Sequence, residues 1–120
     1  MDVAWLRREV FASGQVSREA ADELFAVERA GLANAPQWTE FFVEMIVEHA
    51  VWQSGEPGVL GDAEAKWLSA RVGECESSNA LAALAAALGE ARRAPAALVA
   101  AAQARAWPGV GAALKPARAV

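Results

Sequence analysis

The segment from Trp38 to Trp52 constrains the fold more than any other part of the chain. Residues at spacings of three and four form one broad face, and further apolar residues widen it; together they are Trp38, Phe41, Phe42, Val43, Met45, Ile46, Val47, His49, Val51 and Trp52. Only a strip of Glu40, Glu44 and Glu48 is clearly polar. Because a helix that is apolar over most of its circumference must be covered by others, this pattern predicts a central helix from Pro36 to about Gln53.

Five further helices are predicted from periodicity, caps and breakers. The first covers Asp2 to Ala12, with Val3, Leu6 and Val10 at helical spacing, and the second is capped by Ser17 and runs to about Ala30. After the central helix, the next covers Asp62 to Gly73. Another is capped by Ser77 or Ser78 and carries Leu81, Leu84 and Leu88, and the last runs from Pro95 to about Ala106. No segment alternates as a strand does. The predicted fold class is therefore all-α, with about six helices.

Length and composition predict one modest domain. The chain has 120 residues, and 31 alanines supply much of its 55% hydrophobic content, so the larger apolar side chains suffice for a single core. We place the helical domain at residues 1–107. Residues 108–120 hold few large apolar groups and are predicted to be a flexible tail.

Charge and apolar content exclude several partners. Residues 1–89 carry 14 acidic and 6 basic side chains, whereas residues 90–120 carry 1 acidic and 5 basic ones. An acidic body argues against nucleic acid as a partner, because phosphate binding needs a basic face. Uncharged stretches fall short of the roughly 20 apolar residues of a membrane span. With no apolar leader at the start and a single cysteine, a cytoplasmic location is expected.

Two segments of the sequence match each other. The segments are Gly14-Gln15-Val16-Ser17 and Gly58-Val59-Leu60-Gly61. In each, a branched apolar residue lies two places after the first glycine, and a leucine lies ten places after that glycine. Each half therefore reads as helix–loop–helix, which resembles a degenerate pair of EF-hands. With the glycines at position 6, loop positions 1, 3, 5 and 12 become Glu9, Phe11, Ser13 and Ala20 in one loop, and Gln53, Gly55, Pro57 and Glu64 in the other. One carboxylate in each loop predicts no calcium binding of the EF-hand type.

A second resemblance covers about half of the chain. The run from Gly14 to Val72 resembles tellurite-resistance B-like (TerB-like) helical proteins and small bacterial proteins near them. The residues that carry it are Gly14-Gln15-Val16-Ser17-Arg18-Glu19-Ala20, Leu24-Phe25, Trp38, Phe41-Phe42-Val43 and Ala65-Lys66-Trp67-Leu68. The resemblance implies two helix–loop–helix halves, followed here by a C-terminal helical hairpin. Family members commonly place Asp before the turn glycine, and this chain has Ser13.

Glu44, Glu48 and His49 are weak candidates for metal ligands. The stripe of Glu40, Glu44 and Glu48, which His49 adjoins, could bind cations or a basic partner, although a solvated face is the simpler interpretation. A di-iron bundle needs Glu three residues before His, and that residue is Ile46 here. We therefore expect His49 to be a core or boundary histidine with a bonded ring nitrogen, and we assign no metal and no cofactor.

No catalytic residue is assigned either. Cys75 lies between Glu74 and Glu76, whose charges raise the pKa of a thiol and suppress the thiolate. Ser54, His49 and Asp62 can be combined into a Ser–His–Asp set, but nothing in their spacing specifies it.

Three hypotheses for function follow. We expect a non-enzymatic interaction or scaffold module of the bacterial cytoplasm, with a protein partner or a homo-oligomer. The alternative is a metal-linked stress protein of the tellurite-resistance type that uses carboxylates, and a small enzyme comes third. The alanine-rich stretch from Asn79 to Ala106 either closes the core of the monomer or offers a small-residue surface to another chain.

Overall fold

The computed structural model describes residues 3–31 and 37–104. Six α-helices lie in this part of the chain: α1 (Val3–Trp5), α2 (Arg18–Ala30), α3 (Trp38–Val47), α4 (Asp62–Cys75), α5 (Ser78–Glu90) and α6 (Ala96–Ala104). Two π-helical segments extend the first and third of them: π1 (Leu6–Val10) and π2 (Glu48–Gln53). The described residues form no strand, only an isolated bridge between Val59 and Arg93. The predicted all-α fold is confirmed.

Serine side chains begin two of the helices, as the sequence predicts. The Ser17 hydroxyl accepts a hydrogen bond from the Ala20 backbone N–H, and the Ser77 hydroxyl accepts one from Ala80. These hydroxyls satisfy N–H groups that have no partner inside the first turn of a helix. At the other end of α2, Gly31 has a φ of 70°, so the chain turns there in the left-handed conformation that glycine allows.

The centre of the fold is α3, in agreement with the sequence pattern. Six of its apolar side chains are buried, and Val43 is partly buried; the six are Trp38, Phe41, Phe42, Met45, Ile46 and Val47. Phe25 from α2 meets Phe42 edge to face, with ring centroids 5.1 Å apart. Phe11, which follows π1, meets Phe41 in the same way at 5.6 Å. Aromatic pairs of this geometry add to the gain from area burial alone, so α3 organises the packing of its neighbours.

The π-helical segments change which residues face inward. The Phe11 N–H donates to Leu6 and the Ser54 N–H donates to His49, each across five residues. This wider turn shifts the following side chains relative to the spacing of an α-helix. Val10, predicted to be inside, is 50% exposed, and Phe11 is buried in its place.

Trp52 departs from its predicted place on the inward face for the same reason. It lies in π2 and is 39% exposed, whereas Val51 beside it is fully buried. The Trp52 indole N–H donates to Glu90 at the end of α5. Trp52 therefore lies at the surface of the domain and not in its interior.

The end of α4 also differs from the prediction. The helix passes through Gly73 and ends at Cys75, two residues later than expected. Glu76 then adopts a φ of 50° and accounts for the turn. Gly73 was a poor stop signal because glycine is tolerated inside a helix that is held by tertiary packing.

The two glycine loops share the local conformation that the repeat predicts. Gly14 and Gly58 have φ values of 78° and 84°, a region that other residues rarely adopt. Val16 and Leu60, two places later, are buried. Backbone bonds tie the second loop to the segment after α5, since Leu60 N–H donates to Arg93.

The C-terminal part is built on alanine. In α5, six small or branched side chains are buried against the core: Ala80, Ala83, Leu84, Ala85, Ala87 and Leu88. Leu98 and Ala102 anchor α6. Residues 105–120, which include the predicted end of the sixth helix and the predicted tail, lie outside the described residues. In the described part of the chain, no helix combines the length and the hydropathy that crossing a bilayer requires.

Candidate functional site

The predicted carboxylate stripe does not converge on His49. Glu44 is exposed and pairs with Arg7, whose two terminal nitrogens lie 2.9 and 3.2 Å from the carboxylate. Glu48 accepts a hydrogen bond from the Gln53 side chain at 2.9 Å. Glu40 is exposed. In the described residues, no three His, Cys, Asp or Glu side chains are grouped so that they could hold a metal ion.

His49 lies in π2 and is buried, with both ring nitrogens bonded. Nδ1 lies 2.8 Å from the Val16 carbonyl oxygen, and the Arg18 Nε lies 2.9 Å from Nε2. A carbonyl can only accept, so Nδ1 carries the proton, and Nε2 is left as the acceptor for Arg18. The geometry assigns the neutral Nδ1–H tautomer. The sequence predicted one bonded ring nitrogen for His49, and the structure shows two.

The groups around the imidazole shift the pKa of His49 in opposite directions. Burial lowers the pKa of His49 below its ordinary value, and the positive charge of Arg18 lowers it further. The hydrogen bond to Val16 and the carboxylates of Glu64 and Asp22 oppose this shift. Burial prevails, so the neutral ring is the form that the site holds at neutral pH.

The side chain of Arg18 connects three elements. It begins α2, bonds His49 in π2, and lies over the Trp67 ring of α4 with its guanidinium carbon 4.6 Å from the ring centroid. One terminal nitrogen is 3.8 Å from the Glu64 carboxylate. Trp67 meets His49 edge to face at 5.1 Å. A guanidinium that stacks on an indole and donates to an imidazole uses both its flat face and its edge.

Asp22 extends this network along α4. One of its carboxylate oxygens accepts from the Trp67 indole N–H at 2.7 Å and from Arg71 at 3.0 Å. Burial alone would raise the pKa of the Asp22 carboxyl, but the two hydrogen bonds and the positive charges of Arg71 and Arg18 together hold it below its ordinary value. Arg71 also pairs with Glu74. We call the set His49, Arg18, Trp67, Asp22 and Arg71 the His49 cluster.

Gln53 holds the first glycine loop against π2. Its carbonyl oxygen accepts from the Val16 backbone N–H at 2.7 Å, and its amide nitrogen donates to the Gly14 carbonyl at 2.7 Å. Sequence analysis named Gln53 only as a helix end and a loop position, and it did not single out Asp22 or Arg71. No short spacing could have found the bond from Gln53 to Gly14 or those from Trp67 and Arg71 to Asp22, because these partners lie more than 30 residues apart in the chain.

The remaining sequence candidates are not assembled into a catalytic set. The Ser54 hydroxyl donates to the Ala50 carbonyl, and the nitrogens of His49 are bonded to Val16 and Arg18, so the hypothetical Ser–His–Asp set is absent. Burial, followed by the charge of Glu28, raises the pKa of the Cys75 thiol, and Glu74 contributes less. The predicted direction is right, but its main cause is burial. A thiol with a raised pKa is a poor nucleophile.

A groove of about 560 Å³ lies between α4 and α6, on the side of α4 away from His49. Buried Ala65 and Leu98 contribute to its lining. The exposed residues along it are Asp62, Lys66, Ser69, Ala70, Ala97 and Ala101. Such a volume is within the range of sites that take a ligand or a side-chain cluster of a partner.

Comparison of this chain with family models, with curated proteins and with solved structures finds no match. The resemblance to TerB-like proteins and to paired EF-hands therefore stays a prediction from the residues that carry it.

Proposed function

We propose that the protein is a non-enzymatic interaction module of the bacterial cytoplasm, which binds an amphipathic helix of a partner protein between α4 and α6. The groove there carries the proposal. Alanine walls at Ala70, Ala97 and Ala101 let another backbone approach closely, and Leu98 offers an apolar contact. Helices that bind in grooves place apolar side chains at spacings of three and four, which suits a trough between two helices.

Two charges on the groove favour a helical partner with a matching charge pattern. Asp62 and Lys66 are exposed on α4 one turn apart, and neither forms an ion pair within residues 3–31 and 37–104. Opposite charges one turn apart on a partner helix would meet both of them. The expected partner segment is therefore apolar on one side, with a basic and an acidic residue at the rim.

The chemistry of the other polar groups supports binding over catalysis. His49, the one histidine of the chain, is bonded through both nitrogens. The Cys75 thiol donates to the Phe25 carbonyl and has a raised pKa. These groups serve the packing of the fold, whereas the groove offers charged groups to another molecule.

Site-specific photo-crosslinking in cells of the source organism tests the proposal. A photoreactive residue replaces Ser69 on the groove, and a matched control replaces exposed Glu19 on α2. We expect Ser69 to capture a partner through an amphipathic helical segment, and Glu19 not to capture it. A synthetic peptide of that segment should bind the purified protein and lose binding to the Ala101→Glu variant, which places a carboxylate in the groove. Equal capture at both positions, or unchanged peptide binding to the variant, contradicts the proposal.

A further inference from the structure

We propose that the hydrogen bond between Arg18 and His49 is a proton-sensitive latch, which holds α2, π2 and α4 together and opens when His49 takes up a proton. The geometry that carries the proposal is the pairing of Arg18 Nε with the unprotonated Nε2 at 2.9 Å. A protonated imidazole has two N–H donors and no acceptor. The bond to Arg18 exists only in the neutral state.

Protonation would leave two donors and two positive charges in contact, so one side chain must move. The imidazole is buried, and its Nδ1–H stays bonded to the Val16 carbonyl in either charge state. Arg18 is the group that can leave, because 39% of its side chain is exposed and it reaches solvent. Its departure also ends its stacking on Trp67.

The charges that face His49 determine where Arg18 goes. They are Arg18 and Asp22 from α2 and Glu64 from α4. Arg71 of α4 joins the cluster through Asp22, and Glu48 precedes His49 in π2. Asp22 is occupied by Trp67 and Arg71. Glu64 is already 3.8 Å from the Arg18 guanidinium, so it is the acceptor within reach when the latch opens. The two carboxylates also make a charged imidazole tolerable, since both oppose the lowering of the pKa of His49.

The consequence of opening lies at the start of α2. Arg18 is the first residue of α2, and its guanidinium joins that end of the helix to π2 and to α4. Without it, the Trp67 ring loses the cation on its face, while its indole N–H remains bonded to Asp22. Acid therefore loosens one contact between α2 and α4 and leaves a second one in place. The latch is thus a local change and does not require unfolding.

Nuclear magnetic resonance of the whole protein tests the latch directly, because the chain has a single histidine and its imidazole signals are unambiguous. At neutral pH we expect Nδ1 to be protonated and Nε2 not. During acid titration, His49 should protonate with a midpoint below about 6.5. The Arg18 Nε–H signal should shift with that same midpoint, which a merely buried histidine would not produce.

Matched variants separate the latch from a general effect of arginine. Arg18→Met keeps an apolar stem but removes the donor and the charge, so the midpoint of His49 should rise. Arg7→Met is the control: Arg7 also lies over an aromatic ring, Phe41, at 5.1 Å and pairs with a carboxylate, but it does not contact His49. We expect that variant to leave the midpoint unchanged.

Three results would overturn the proposal. They are a proton on Nε2 at neutral pH, an Arg18 Nε–H signal that does not shift when His49 titrates, and a titration midpoint of His49 that Arg18→Met leaves unchanged. If Arg18→Met does not fold, the wild-type titration alone decides. A shared midpoint for His49 and Arg18 then supports the latch, and separate midpoints contradict it.

Discussion

The two faces of α4 both carry charged residues, but those on one face are bonded within the chain and those on the other are not, as far as the structure describes the chain. On one face, Trp67 and Arg71 are bonded to Asp22 and belong to the His49 cluster. On the other, Asp62 and Lys66 border the groove beside α6 with no ion pair in the described residues. One helix therefore has a face whose hydrogen bonds are made within the chain and a face whose charges are left to solvent.

This difference separates stability from binding. A buried or half-buried polar group that loses its partner is costly, so each bond lost from the His49 cluster lowers the free energy of unfolding. Exposed charges without partners contribute little to folding and can change with small effect. We therefore expect substitutions on the first face to act on the free energy of unfolding, and those on the groove face to act on association.

The largest expected effect belongs to Trp67. This side chain is 8% exposed and packs against the rings of Phe25 and His49. Trp67→Ala should lower the free energy of unfolding by about 3–5 kcal/mol, the range for large aromatic residues removed from a core. Ser69→Ala on the groove face is the control and should cost less than about 0.5 kcal/mol. Urea unfolding measures both, and similar losses would mean that the two faces do not differ as described.

Mild acid should lower the free energy of unfolding through the His49 cluster, and not through the groove face of α4. The pKa of His49 is lowered in the folded state, so the unfolded chain takes up its proton more readily. This contribution to stability is present above about pH 6.5 and is lost as pH falls through the lower, folded-state value, with a slope of up to about 1.4 kcal/mol per pH unit for one proton. Asp22 acts in the same direction, but only below its ordinary pKa of 3.8.

Urea unfolding over a series of pH values checks this prediction. The wild-type protein should lose stability between neutral and mildly acidic pH, and Arg18→Met should show a shallower decline because its histidine is less strongly shifted. A stability that is flat or rises on acidification through this window contradicts the described His49 environment.

Calcium should have the smallest effect of all. Glu64 occupies position 12 of the second glycine loop and already neighbours Arg18, and Glu9, the carboxylate of the first loop, is exposed. One carboxylate in each loop is too few for an EF-hand site. We expect the same melting temperature with millimolar calcium as with magnesium. A rise of several degrees with calcium alone would contradict this prediction and would require a metal site that competes with Arg18 for Glu64.

The sequence predicts the helices well because their signals are local. Ser17 and Ser77 cap helices through hydroxyls that reach three residues ahead, and Gly31 ends one through its own φ. The central place of α3 follows from its apolar circumference. The errors at Val10 and Trp52 come from π-helical turns, which the spacing of an α-helix cannot express.

The His49 cluster could be predicted only in part. The apolar neighbours of His49 indicated burial, but Arg18 lies 31 residues from it and Asp22 lies 45 residues from Trp67. Such pairs depend on how α2, π2 and α4 meet, which is a property of the tertiary packing. The groove was beyond sequence reasoning for the same reason, although the alanine content of α6 indicated that another chain could approach closely there.

The central claim is that the two faces of α4 differ in role, and one paired measurement tests it most directly. Arg71→Gln and Lys66→Gln each remove a positive charge from the same helix, on opposite faces. In urea unfolding at neutral pH, Arg71→Gln should cost about 1–2 kcal/mol, because Asp22 and Glu74 lose a charged donor, partly offset by solvent. Lys66→Gln should cost less than about 0.5 kcal/mol. Equal losses, or a larger loss at Lys66, would contradict the account.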